Sequence, residues 1–305
     1  MGEGLASAVS EPVAAANGAV LFEVAPWKKT AWLWHGFSTR RGGVSRAYCG
    51  DGADGELNLG FTAEDTREAV LANRRLLAEA VSGERATPVV SLRQFHSNLS
   101  CVAAACDAGR DRARRADGMM TAEPGLLLAI QTADCIPVLV ADRRQRVVAA
   151  FHAGWRGTVR RIVELGIGRM RAEFGSKPKD LTAAIGPGIR ACCYAVGEDV
   201  FSSFESQFTY ASDLFHEVYG SDPIRTKYPL LFLTQRAPGH SPIGPGLHVD
   251  LIEANRRQLV SAGLEPKSIH IVGGCTNCRP DLYFSYRGSR GHTGRMMSII
   301  GVRPD

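Results

Sequence analysis

Between Leu126 and His152 the chain carries three apolar runs, at 126–132, 136–141 and 147–152, separated by only a few residues. Each is short for a helix and almost uninterrupted by polar residues, so each reads as a buried strand. Further runs of this kind lie at 31–39, 87–95, 99–105, 181–186, 269–273 and 296–302. Helical spacing appears between them. Ala69, Val70, Asn73, Leu76 and Leu77 recur on one face within Ala63–Val81, and helices are also expected at Thr158–Phe174, Glu198–Phe208 and Leu251–Ala262. Strands alternating with helices, without an internal repeat, predict a mixed α/β (α+β) fold. The expectation is one compact layered domain around a central mixed sheet.

Residues 1–20 are rich in Ala, Gly, Ser and Glu and lack a basic start followed by an apolar stretch, so they read as a mobile tail and not as a signal peptide. The domain is then expected over 21–305, because no internal segment has the composition of a linker. Ser212–Gly246, rich in Pro, Gly and aromatic residues, reads as a long irregular insertion. Apolar residues make up 45% of the chain and no stretch approaches the length of a membrane span. Net charge is +5 and the arginines are scattered, which argues against a nucleic-acid surface. Eight cysteines in 305 residues do not suggest a disulfide scaffold, so reduced thiols and a cytoplasmic location are expected; a monomer is the separate expectation.

Three residues stand near the ends of apolar runs: His96 in Gln94-Phe95-His96, Cys135 after Thr132-Ala133-Asp134, and His152 in Phe151-His152-Ala153-Gly154-Trp155-Arg156-Gly157. Two imidazoles and a thiolate form a zinc set of the catalytic kind, with a fourth position left for water or substrate. Their spacing matches no compact metal motif, and a buried cysteine beside two hydrogen-bonded histidines accounts for the same residues. Copper would occupy such a donor set as readily in vitro. The context favours a site. A helix is expected just after His152, with Gly157 or Thr158 near its cap, and helix N-termini attract anions. Arg156 adds a planar phosphate donor, or else pairs with a surface carboxylate. Arg40 and Arg41, in the Gly-rich turn after His35-Gly36-Phe37-Ser38-Thr39, with Asn58 nearby, offer a second phosphate cradle or an ordinary tight turn.

At these residues the chain resembles the bacterial YfiH-type, laccase-domain family, whose members are labelled polyphenol oxidoreductases, peptidoglycan editing factors and purine nucleoside phosphorylases. The motifs run in order: His35-Gly36-Phe37-Ser38-Thr39-Arg40, Asn58-Leu59-Gly60, Asn73-Arg74, Gln94-Phe95-His96 and Ala116-Asp117-Gly118. Then come Thr132-Ala133-Asp134-Cys135, His152 to Gly157, Ile185-Gly186-Pro187, Asn255-Arg256, Gly274-Cys275-Thr276, Ser285-Tyr286-Arg287 and Gly294-Arg295. The resemblance implies a cysteine-hydrolase-type layered fold and a zinc held by His96, Cys135 and His152. It also implies phosphorolysis of adenosine and inosine, then guanosine and methylthioadenosine, with adenosine deamination as a companion. The chain departs from the family at Gly118, where a small side chain is usual, at Ser97, where Gly is common, and at Ala195, where Glu is expected.

On this reading Arg40, Asn58, Arg156 and Arg287 bind substrate or phosphate, and Asp134 is the nearest ionisable candidate to protonate the leaving purine. The rival is a cysteine hydrolase with Cys135 as nucleophile and a histidine as base. A multicopper oxidase fits poorly: it needs about ten histidines, largely in His-x-His pairs, and this chain has eight with no such pair. A binding protein without turnover is the remaining alternative. Cys275-Thr276-Asn277-Cys278 has no second Cys-x-x-Cys and reads as structural.

Overall fold

The computed structural model describes residues 11–49, 55–109, 114–218 and 246–305. Residues 1–10 of the expected tail and 219–245 of the expected insertion lie outside them. The chain clusters into a larger unit, running up to Ile189 and resuming at Leu251–Asp305, and a smaller one, Arg190–Asp250.

The larger unit is mixed α/β, as expected, with its strands divided between two six-stranded mixed sheets. The first sheet takes β1 (Val13–Ala14), β2 (Val20–Phe22), β3 (Leu33–Ser38), β16 (Met296–Val302), β8 (Leu127–Thr132) and β5 (Val89–Ser91), in that order. Since β1 already pairs with β2, the sheet starts ahead of the boundary expected at residue 20. The second sheet takes β15 (Ile269–Ile271), β11 (Leu181–Ile185), β9 (Ile136–Asp142), β10 (Val147–Ala153), β7 (Gly118–Thr121) and β6 (Ser100–Val102). Parallel pairs β5–β8, β11–β15 and β6–β7 join otherwise antiparallel ladders. A short strand, β4 (Arg41–Ser45), bridges to Glu56.

Period-two alternation explains why the central runs are apolar throughout. In β8, Leu128 and Ile130 enter the core shared by the two sheets, with Ile300 of β16 and with Met119, Leu139, Val148 and Ala150 of the second sheet. Leu127 and Ala129 face the other way, toward Leu77 and Ala78 of helix α1 (Arg67–Ser82). Helix α1 starts where Thr66 Oγ1 accepts the Ala69 N–H and stops at left-handed Gly83, whose N–H returns to Glu79.

The helix expected at Thr158–Phe174 is two helices. α2 (Trp155–Val159) begins with Gly154 as its N-cap, three residues earlier than expected, and left-handed Arg161 separates it from α3 (Ile162–Phe174). Thr158 is therefore inside α2, where its Oγ1 accepts from Asn255 of a later helix, Leu251–Ser261. The strand expected over 87–95 is shorter, Val89–Ser91, because the chain turns away and Phe95–Ser97 wrap a buried carboxylate described below. In the smaller unit, β12 (Ala195–Val196), β14 (Gly246–Val249) and β13 (Phe215–Val218) form a three-stranded sheet. Helix α4 (Glu198–Glu205) packs Phe201 and Phe204 on Phe215, with ring centroids 4.9 and 5.5 Å apart. The helix Leu251–Ser261 is α5. No helix among the described residues is long and apolar enough to cross a membrane.

Candidate metal and active site

The chain leaves the first sheet at Thr132 and enters the second at Ile136, so Cys135 lies in the passage between sheets. Antiparallel pairing of β9 with β10 sets His152 opposite Pro137 and Ala153 opposite Ile136, which brings His152 beside Cys135. His96 arrives from the turn after β5, and its Nε2 is 3.7 Å from Cys135 Sγ. One ligand atom from each of the three lies within 4.8 Å of the others. The glycine after Ala153 makes this possible: a Cβ on Gly154 would fall 2.8 Å from His96 Cδ2 and 2.9 Å from Cys135 Sγ. His152 is buried, whereas His96 and Cys135 keep partial access to solvent.

Behind the three stands Asp117, fully buried just before β7. Its Oδ1 meets His152 Nδ1 at 2.8 Å and accepts the His96 N–H at 3.0 Å. Oδ2 accepts the Ser97 N–H and the Ser97 hydroxyl, both at 2.7 Å, and the Phe95 N–H reaches the same carboxylate. Three consecutive N–H groups curled round an anion form a nest, which accounts for the left-handed φ of 63° at His96. Sequence reasoning quoted Asp117 within a motif but gave it no role. The signal available was a lone acid between Ala116 and Gly118, at the edge of a strand the sequence did not reveal.

These contacts set the charges. Burial works against the Cys135 thiolate, but the charge and hydrogen bond of His152, with help from His96, bring its pKa down to about 6. Burial likewise disfavours the His152 imidazolium, yet Cys135 and Asp117 raise it to about 9. Asp117 falls to about 2, because hydrogen bonds from His152 and Ser97 outweigh its burial. In the metal-free centre the result is an anion–cation–anion chain. With Nδ1 committed to Asp117, His152 offers Nε2 to the cluster, as a carboxylate-oriented metal ligand does. A thiolate and two imidazoles so placed suit a divalent transition metal.

The other expected site residues are placed differently. Asp134 adjoins Cys135 at a left-handed φ of 90°. Its Oδ1 accepts the Thr276 and Ser285 hydroxyls at 2.5 and 2.8 Å, and its Oδ2 the Arg287 N–H at 2.7 Å. It is therefore an acceptor that ties the Ser285–Arg287 segment to the cysteine turn, which corrects its expected part as proton donor. Arg287 reaches this site by its backbone, and its side chain is exposed. Arg40 is also corrected: its guanidinium pairs with Glu56, donates to Pro280 O at 2.7 Å and lies over Phe284. Asn58, fully buried, bonds Gly60, Asp65 and the Arg295 N–H, so it closes loops and has no group left for phosphate. Arg156 is exposed on α2 and stacks on Trp155 at 4.3 Å, with no carboxylate partner among the described residues.

Two packed mixed sheets and a His/Cys/His centre at their crossing define a layered α/β protein with a three-ligand site. The chain belongs to the YfiH-type laccase-domain family, whose model, described as multi-copper polyphenol oxidoreductase laccase, matches residues 34–303. It is similar to a purine nucleoside phosphorylase of Bacteroides thetaiotaomicron, 32% identical over 273 residues that cover 88% of this chain and 91% of the relative. It is also similar to adenosine deaminase RL5 from an unknown prokaryotic organism, 30% identical over 272 residues, or 87% and 92% of the two chains. Among solved structures, the hypothetical protein YfiH of Bacillus licheniformis superposes with a TM-score of 0.76 at 29% identity, covering 96% of this chain and 99% of that one.

Proposed function

We propose that this protein is a zinc-dependent purine nucleoside phosphorylase with adenosine deamination as a second activity. The observation that carries the reading is the convergence of His96, Cys135 and His152 within 4.8 Å, in a chain whose relatives bear the first of those names. In phosphorolysis a phosphate oxygen bonds to C1′ of the ribose as the C1′–N9 bond breaks, and the electron pair leaves with the purine. The products are free base and ribose 1-phosphate. Deamination exchanges the amino group at C6 for the oxygen of water and releases ammonia.

His96, Cys135 and His152 would hold the zinc, which when bound would supply Lewis-acid stabilisation of developing negative charge. The remaining work is placement. Asp117 keeps the proton of His152 on Nδ1, so the ring presents one fixed face. Arg156, exposed on α2 and without an acidic partner among the described residues, orients phosphate oxygens near the start of α2. Asp134 fixes the turn that carries Cys135 and, through the Arg287 N–H, the segment bearing Tyr286 and Arg287.

A second reading has its own observation. Cys135, His152 and Asp117 stand in the order of a thiol nucleophile, its base and the carboxylate that orients the base. That arrangement supports a cysteine hydrolase, including peptidoglycan-precursor editing. Product analysis separates the two. Adenosine and inosine are incubated with zinc-loaded protein, with and without phosphate, before and after chelation. Ribose 1-phosphate formed only with phosphate, and lost on chelation, is the expected result. Inosine formed from adenosine regardless of phosphate reports the deaminase. No turnover of either nucleoside by metal-replete protein sinks the phosphorylase reading and favours the hydrolase.

A further inference from the structure

Ser97 directly follows His96, a proposed metal ligand. Its side chain is 3% exposed and its hydroxyl is fully engaged. Oγ donates to Asp117 Oδ2 at 2.7 Å and accepts the Leu99 N–H at 3.2 Å. The Leu99 donor leaves the hydroxyl proton no competing direction. Two donors from Ser97, N–H and O–H, thus hold Oδ2 at equal distance, the Phe95 N–H is shared between both oxygens at 3.1 and 3.2 Å, and Oδ1 faces His152 Nδ1 at 2.8 Å and the His96 N–H at 3.0 Å. A carboxylate pinned at one oxygen cannot rotate about its Cβ–Cγ bond, so the other oxygen stays aimed at the imidazole.

We propose that Ser97 is a positioning residue for the metal centre. Acting through Asp117, its hydroxyl fixes the tautomer and ring orientation of His152 and the backbone posture of His96, and so raises affinity for a divalent transition metal. This rests on the metal reading of His96, Cys135 and His152. Outer hydrogen-bond partners of metal ligands typically govern affinity by about 10- to 100-fold. Because the Ser97 and Phe95 N–H groups still hold Oδ2 when the hydroxyl is gone, the lower end applies here, about tenfold.

The test is zinc competition against a chromophoric chelator on the full chain, for the parent protein, Ser97→Ala and Ser97→Gly, with the absorption spectrum of the cobalt-loaded forms as second readout. Ala keeps the Cβ and loses only the hydroxyl, whereas Gly loses both. The proposal expects both variants to bind zinc about tenfold more weakly, with the same shift in the cobalt ligand-field bands. It is overturned if Ser97→Ala binds zinc as the parent does. It is also overturned if only Ser97→Gly is impaired, because packing rather than the hydroxyl is then the cause. A parent protein that binds no zinc refutes the metal reading itself, an outcome distinct from both.

Discussion

At Cys135 the thiolate survives although burial opposes any charge there, because the His152 imidazolium lies against it and His96 lends a hydrogen bond. The chelated protein should therefore alkylate at Cys135 with a pH profile centred near 6, well below an ordinary thiol. Peptide mapping after brief iodoacetamide treatment distinguishes this site from the exposed Cys106. A profile centred near 9 would remove the charge chain. His35, on β3, offers a second titration. It accepts the Val24 N–H and packs its ring edge-on to Trp27, with centroids 5.2 Å apart. Burial lowers its pKa from 6.5 to about 4. The unfolded chain then binds a proton between those values that the folded chain refuses. Stability contributed by neutral His35 is complete above pH 6.5 and is lost as pH falls toward 4, by as much as about 3 kcal/mol. Urea midpoints across that range should fall less steeply in His35→Gln, which retains an acceptor for Val24.

Among the elements, β10 shows how tightly the site's support is packed. Phe151 sits between two glycines: a Cβ on Gly166 of α3 would fall 2.2 Å from its Cε1, and one on Gly118 of β7 would fall 2.7 Å from its Cδ1. The departure at Gly118 thus has a physical reason in this chain, since the phenyl ring fills the space a side chain would take. Gly166→Ala gains about 1 kcal/mol of helix propensity, but overpacking costs about 1–3 kcal/mol and shifts a ring next to His152. Net destabilisation is expected in thermal melts, with Phe151→Leu partly restoring it in the double variant; additive losses would contradict the wedge. Much of this layer was legible beforehand. The runs that became β3, β8, β9, β10, β11 and β16 are apolar enough to announce themselves, and α1 carries its own cap residues. β7 was missed because Gly118-Met119-Met120-Thr121 is short and lacks β-branched residues apart from its last. The break between α2 and α3 was missed because arginine seldom marks a left-handed position.

Over the whole molecule, the three candidate ligands were readable as residue types but their assembly was not, because it depends on two sheets that cross at Cys135. Asp117 was invisible as the hub for the same reason: its partner His152 is 35 residues away. Arg40 and Asn58 looked like phosphate donors in a Gly-rich setting, and the folded chain uses both to close its own loops. If the centre holds metal only in the native state, metal must stabilise the whole larger unit. At free zinc a hundredfold above Kd the gain is about 2.7 kcal/mol, so chelation should lower the melting temperature by roughly 5 °C. A melting curve insensitive to chelator would exclude native-state binding.

The passage at Cys135 makes the centre a witness to assembly. A slip of one residue in β8 or β9 would turn every side chain of that strand to its opposite face, and the thiol would no longer meet both imidazoles. If the centre binds metal as proposed, uptake per mole of chain counts the molecules whose two sheets have registered correctly, a tally that bulk helicity or solubility would overestimate in any preparation containing misregistered protein.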